Sequence, residues 1–142
     1  MTGPKHTPGG VGLHHVALKT KSWEASLAFY KSVLGFTEKI LWAYPDGNRA
    51  GMIDTGGGSY LEIFEDRNYI PAPNGALLHL ALRTNTVDAL LSRIRAAGCK
   101  ITVEPKDVTI KTINGFGPVP IRIAFFEGPN GEIWELFQNE LT

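Results

Sequence analysis

Two histidines and two glutamates stand at matched places in this 142-residue chain, and together they form a donor set that could close on one divalent cation. His15 lies in His14-His15-Val16-Ala17-Leu18-Lys19-Thr20. His79 lies in Leu78-His79-Leu80-Ala81-Leu82-Arg83-Thr84, at an offset of 64 residues. A glutamate inside an apolar strand follows each: Leu61-Glu62-Ile63-Phe64 and Trp134-Glu135-Leu136-Phe137. Neutral imidazole and carboxylate are good donors for first-row divalent metals. Period-two alternation groups His15 with Ala17, Glu62 with Tyr60 and Phe64, His79 with Ala81, and Glu135 with Ile133 and Phe137. A carboxylate on such a face is costly unless it is paired or bound to a cation. The alternatives are that these are partly exposed strand residues, or that each Glu pairs with Arg or Lys.

Lys19 and Arg83 occupy equivalent places, four residues after each His and on the same strand face. Arg122 is a third cation expected to point inward. Such groups near a metal suggest a small anionic substrate held by charge-assisted hydrogen bonds; the alternative is that Lys19 and Arg83 snorkel into water at strand ends. His14 is expected to face the helix side, where it cannot ligate with His15. Cys99 reads as a packing residue. Gly56–Gly58 reads as a hairpin turn, because no Gly-Lys-Ser/Thr follows and no helix begins there. Tyr60, Phe64, Phe126 and Phe137 either line a pocket or fill a core.

The elements that carry these residues repeat as well. Gly12–Lys19 reads as a strand. A helix follows, with Ser22 as its cap, Gly35 as its stop and Trp23, Leu27, Tyr30 and Leu34 as its apolar stripe. Strands near Phe36–Tyr44, Arg49–Asp54 and Ser59–Glu65 complete the first half. In the second, Leu77–Arg83 is the strand, and Val87, Leu90, Leu91, Ile94 and Ala97 mark a helix stopped by Gly98. Strands at Lys100–Val103, Pro120–Phe126 and Glu132–Gln138 follow. The distance from His to Glu is 47 residues in the first half and 56 in the second. The nine extra residues are expected as a loop within Lys106–Val119. The fold class is therefore α+β: two βαβββ modules whose curved sheets form a barrel-like metal-binding cavity, with the helices outside. Residues 1–11 read as a flexible tail, 12–66 as the first module, 67–76 as a linker and 77–142 as the second module.

Composition bounds the partners. Lys+Arg and Asp+Glu both number 14, so the net charge is zero. That argues against nucleic-acid or polybasic membrane binding. The longest apolar stretch, around Ala76–Leu82, contains His79 and is too short to span a bilayer. The N-terminus lacks the apolar core of a secretion signal, and one cysteine permits no intrachain disulfide, so cytoplasmic residence is expected.

His15-Val16-Ala17-Leu18, Ser26-Leu27-Ala28-Phe29-Tyr30 and Leu34-Gly35-Phe36 resemble the opening module of the vicinal oxygen chelate superfamily. Phe126-Glu127-Gly128-Pro129-Asn130-Gly131-Glu132-Ile133-Trp134-Glu135-Leu136 resembles its closing module. The group includes glyoxalase I, bleomycin and fosfomycin resistance proteins, extradiol dioxygenases and methylmalonyl-CoA epimerase. The His-Glu-His-Glu set is most similar to that of bacterial glyoxalase I. The resemblance implies His15, Glu62, His79 and Glu135 as ligands of one divalent metal ion per site (Ni, Zn, Co, Fe or Mn), with Glu135 as catalytic base and Glu62 as the alternative. It implies isomerisation of a 2-oxoaldehyde hemithioacetal through a metal-bound enediolate, by a homodimer. Lys19 departs from the glyoxalase pattern, which has Arg there, and the two are not equivalent. The rival readings are epimerisation, oxygen-dependent ring cleavage, thiol transfer to an antibiotic, or metal-free sequestration of a drug. The modules pair within one chain or exchange between two.

Overall fold

The computed structural model describes residues 13–71, 77, 79–112, 115 and 117–142. The expected tail, the 72–76 part of the expected linker, and Ile113, Asn114 and Phe116 lie outside the described residues. The chain divides into two compact units, Met1–Ile70 and Pro71–Thr142.

The first unit runs β1 (His15–Thr20), α1 (Trp23–Ala28), a π-helical segment (Phe29–Val33), β2 (Thr37–Ala43), β3 (Arg49–Asp54) and β4 (Tyr60–Glu65). Its sheet is open, in the order β1-β4-β3-β2, with β1 parallel to β4 and the other pairs antiparallel. The second unit repeats the plan: β5 (Leu80–Arg83), α2 (Val87–Ala96), β6 (Ile101–Lys111), β7 (Pro118–Glu127) and β8 (Ile133–Gln138), in the order β5-β8-β7-β6. These are two βαβββ modules, as the repeat predicts, and each sheet keeps two edge strands rather than closing on itself.

The repeat extends to the strand–helix junctions. Thr20 Oγ1 accepts the Ser22 N–H at 3.0 Å, and Thr84 Oγ1 accepts the Thr86 N–H at 3.0 Å. The same side-chain turn thus redirects the chain at both places, 64 residues apart. Ser22 occupies the cap position but makes no side-chain cap bond. At the other helix, the Val87 N–H is met by Gln138 Oε1 at 3.3 Å.

Helix and sheet bury each other on one face. In the first module Trp23, Leu27, Tyr30, Ile53, Leu61 and Ile63 form the core; in the second, Val87, Leu91, Ile94, Ala124, Phe126, Trp134 and Leu136 do. Each fully buried aliphatic side chain is worth about 1.5–3 kcal/mol. Gly51 makes the first contact close: a Cβ there would run into Leu41 and the Ile40 carbonyl, and Trp23 lies just behind. Beyond Ala28 the helix widens, with the Leu34 N–H reaching back five residues to Phe29 O at 3.3 Å. The wider turn rotates the buried face, so Phe29 is buried and Leu34 only half so.

The expected loop within Lys106–Val119 is mostly strand. β6 has 11 residues where β2 has 7, and β7 has 10 where β3 has 6, so four residues on each strand absorb most of the insertion. Lys111 pairs with Pro118 and Thr109 with Pro120. β8 pairs with β7 only from Arg122 onward, so both prolines sit where β7 has no second ladder to lose.

Glu65 anchors the helix side of the first sheet, its side chain 4% exposed. Arg49 grips it through Nε and Nη2, both at 2.9 Å, and through its backbone N–H at 2.9 Å. The same guanidinium lies over the Trp23 ring and pairs with Glu24. These bonds pull the Glu65 carboxyl down to about 2. A depressed carboxyl stabilises the fold fully above its ordinary value near 4.5 and loses that contribution as pH falls through the folded value. The melting-temperature gap between the unaltered chain and Glu65→Gln should therefore be widest above pH 5 and shrink steadily towards pH 2. A gap independent of pH would reject the assignment.

Candidate metal centre

Register brings each His to its Glu. In the first module Ala17 pairs with Glu62 across the parallel β1–β4 ladder; in the second Ala81 pairs with Glu135 across β5–β8. Each His stands two residues before that Ala, on the face turned away from the helix. Ala leaves room for the longer side chains to lean together. His15 Nε2 lies 3.5 Å from Glu62 Oε1, and His79 Nε2 lies 2.9 Å from Glu135 Oε2. The carboxylates are deeply placed, with side chains 14% and 10% exposed, while the imidazoles remain about one-third accessible. Among the described residues neither Glu makes an ion pair with Arg or Lys; each has His as its partner.

The four predicted ligands thus come together as two pairs. Among the described residues no three His, Cys, Asp or Glu side chains are grouped to hold a metal. Each pair nonetheless fits a cation. Donors bound at about 2.0–2.2 Å, at angles between a right angle and tetrahedral, stand about 2.8–3.6 Å apart. Both observed separations fall in that range, and the imidazole–carboxylate chemistry suits first-row metals.

The other predicted residues divide by strand parity. Lys19 lies on the same face as His15, exposed, with Nζ 3.6 Å from Asp66. Arg83 shares the face of His79, is exposed, and has no ion-pair partner among the described residues. Arg122 does not point inward. It is three residues from Phe125, which pairs with Glu135, and so sits on the opposite face of β7. There Asp88 of α2 holds it through two bonds at 2.7 and 2.8 Å, with Asp107 at 3.0 Å. The guanidinium in turn lowers the Asp88 carboxyl. Phe126 is likewise on the helix side, buried and stacked on Trp134, and so fills the core. Tyr60, Phe64 and Phe137 lie on the Glu-bearing faces. Cys99 is partly buried, and burial pushes its thiol up, consistent with packing.

Sequence reasoning misplaced His14. Its ring packs beside Tyr60, next to His15, rather than on the helix side. A cavity of about 450 Å³ also went unforeseen. Ile110, Val119, Phe137 and Leu141 supply its apolar walls. Asn139 Oδ1 accepts the Leu141 and Thr142 N–H groups, both at 2.8 Å, and so turns Leu141 back to that wall. Phe137 ties the cavity to Glu135, two residues earlier on the same face.

The family model of the Glyoxalase/Bleomycin resistance protein/Dioxygenase superfamily matches residues 12–136. The chain belongs to this superfamily. Within and around it, the chain is 26% identical over 132 residues to the uncharacterized protein YaeR of Escherichia coli (strain K12), covering 89% of this chain and 95% of that one. The fold matches FosX, the fosfomycin resistance protein of Listeria monocytogenes, solved with Mn(II) and sulfate, at a TM-score of 0.68 and 18% identity over 92% of this chain and 93% of that one. It also matches Leishmania major glyoxalase I, a trypanothione-dependent enzyme, at 0.68 and 21% identity over 89% and 86%. The superfamily includes many metal-dependent enzymes acting on small molecules. No described helix is long and apolar enough to cross a membrane.

Because Arg122 braces helix to sheet, Arg122→Met should lower the melting temperature modestly while leaving metal affinity at the unaltered value. Weakened metal or substrate binding, with the melting temperature unchanged, would return Arg122 to the site.

Proposed function

We propose that this protein is a divalent-metal-dependent enzyme of the glyoxalase type, isomerising the hemithioacetal of a 2-oxoaldehyde. The observation that carries the reading is the matched pairing of His15 with Glu62 and His79 with Glu135, beside ladders in which Ala17 stands opposite Glu62 and Ala81 opposite Glu135. These four residues would hold one cation, drawn from Ni, Zn, Co, Fe or Mn. When bound, the cation supplies a Lewis acid that polarises a carbonyl and stabilises negative charge developing on the neighbouring oxygens.

The chain's own residues do the rest. Glu135 takes the proton from the carbon beside the carbonyl and returns it to the adjacent carbon, so the proton changes carbon with no net gain or loss. Glu62, its counterpart, stays a ligand. His79 Nε2 lies 2.9 Å from Glu135 Oε2, so that one cation could meet both donors. Lys19 and Arg83 offer positive charge to an anionic part of the substrate. The cavity beside Phe137 accepts an apolar part and keeps water from it. The reading takes the assembly as a cytoplasmic homodimer.

Metal analysis of the native protein, followed by a methylglyoxal–glutathione assay across several metals, tests this directly. One ion per chain is expected, and His15→Ala and His79→Ala should each abolish its retention, whereas independent half-sites would lose only half. Glu135→Gln should lower kcat by about 10²–10⁴-fold with the fold and metal retained. Full activity in that variant rejects Glu135 as the base. A metal-free protein that binds a cationic drug tightly, and turns over nothing, would replace the enzyme reading with sequestration.

A further inference from the structure

His14 has no polar counterpart in the second module, where Leu78 occupies the matching position in sequence. Its Nδ1 lies 2.9 Å from His15 Nδ1. The two rings meet edge to face, at 87° and 5.2 Å between centroids. On its other side the His14 ring leans on Tyr60, 5.0 Å between centroids, and its carbonyl accepts the Tyr60 N–H at 2.8 Å. The contact with Tyr60 seats the His14 ring, and the seated ring can then orient its neighbour.

Two ring nitrogens this close share one proton, so one donates and the other accepts. The choice is fixed by what His15 does with its other nitrogen. Nε2 faces Glu62 and is the atom that would meet a cation. A ligating nitrogen must be bare, so the His15 proton must sit on Nδ1. A metal-binding imidazole almost always donates that second N–H to a partner that sets its tautomer and plane. His79, lacking a histidine neighbour, is instead fixed by the edge-on Phe125 ring, 5.3 Å between centroids.

We infer that His14 is a positioning residue that accepts the Nδ1–H of His15, holding His15 in the tautomer and orientation that present Nε2 to a cation. His14 itself then carries its proton on Nε2 and binds no metal. The two half-sites are therefore held differently: a polar brace in the first, an aromatic one in the second. This inference rests on the proposed metal reading, and its test separates the two.

The test uses the full chain loaded with Zn²⁺, which is diamagnetic, and reads affinity and imidazole ¹⁵N signals rather than turnover. Long-range ¹H–¹⁵N spectra should show His15 protonated at Nδ1 and metal-bound at Nε2, with His14 protonated at Nε2. His14→Phe keeps a ring against Tyr60 but removes the acceptor, and should weaken Zn²⁺ binding about 10-fold, the lower end for an outer-shell partner. His14→Asn restores an acceptor oxygen and should recover most of the loss. Affinity unchanged in His14→Phe, or a metal-bound signal on His14, overturns the inference while leaving the metal reading standing. Failure of the unaltered chain to bind any of the candidate metals overturns both.

Discussion

The parallel pairing at one edge of each sheet is the constraint on which the site depends. In an antiparallel pair joined by a short hairpin, the two residues that meet are close in sequence. Here the edge strand and its neighbour run the same way, and 47 or 56 residues separate His from Glu. A crossover through a helix and two further strands must be completed before the donors can meet. The module therefore has to fold as a whole for either half-site to exist. Ladder register then does the fine placement: a slip of one residue in a strand would turn the proposed ligand it carries to the helix side.

The helix side is where that register is secured. Leu61 and Ile63 flank Glu62 in sequence and are buried beneath α1; Trp134 and Leu136 do the same for Glu135 beneath α2. The apolar residues that fix the strand are thus the immediate neighbours of the carboxylates they present. Removing one of them would leave a cavity costing about 2–5 kcal/mol, and would loosen the site in the same step. Glu65 and Arg122 serve the same end by ionic means, each tying a helix to its sheet on the face opposite the donors.

Much of this was legible in the sequence, and the failures have definite causes. β1, β4 and β5 alternate in burial, because one face is covered by a helix and the other carries the proposed ligands, and β8 could be read by matching it to β4 across the repeat. β7 is different. It is an interior strand with Ile121, Ile123 and Phe125 on one face and Ala124 and Phe126 on the other, so both faces are apolar and alternation gives no direction. Arg122 was consequently expected on the wrong face, and Phe126 was left open between pocket and core. The extension of β6 and β7 was hidden by Pro118, which reads as a loop residue although it lies where β7 has no second ladder. The π-helical segment leaves no mark in an apolar stripe that still looks α-helical.

Duplication supplies two chemically equal carboxylates, and what distinguishes them lies outside the duplicated motif. The longer β6–β7 hairpin exists only in the second module, where Ile110 and Val119 stand on the added length. With Phe137, two residues beyond Glu135 on the same face, and Leu141 they wall the cavity. No equivalent length is present in the 7- and 6-residue strands of the first module. Glu62 instead shares its surroundings with His15, Tyr60 and the His14 ring. A substrate with an apolar portion thus has a place to rest beside one carboxylate, and the other is occupied by imidazoles. In the proposed reading that asymmetry favours Glu135 for proton transfer and Glu62 for holding the ion, a division that the equal spacing of the two motifs could not have indicated.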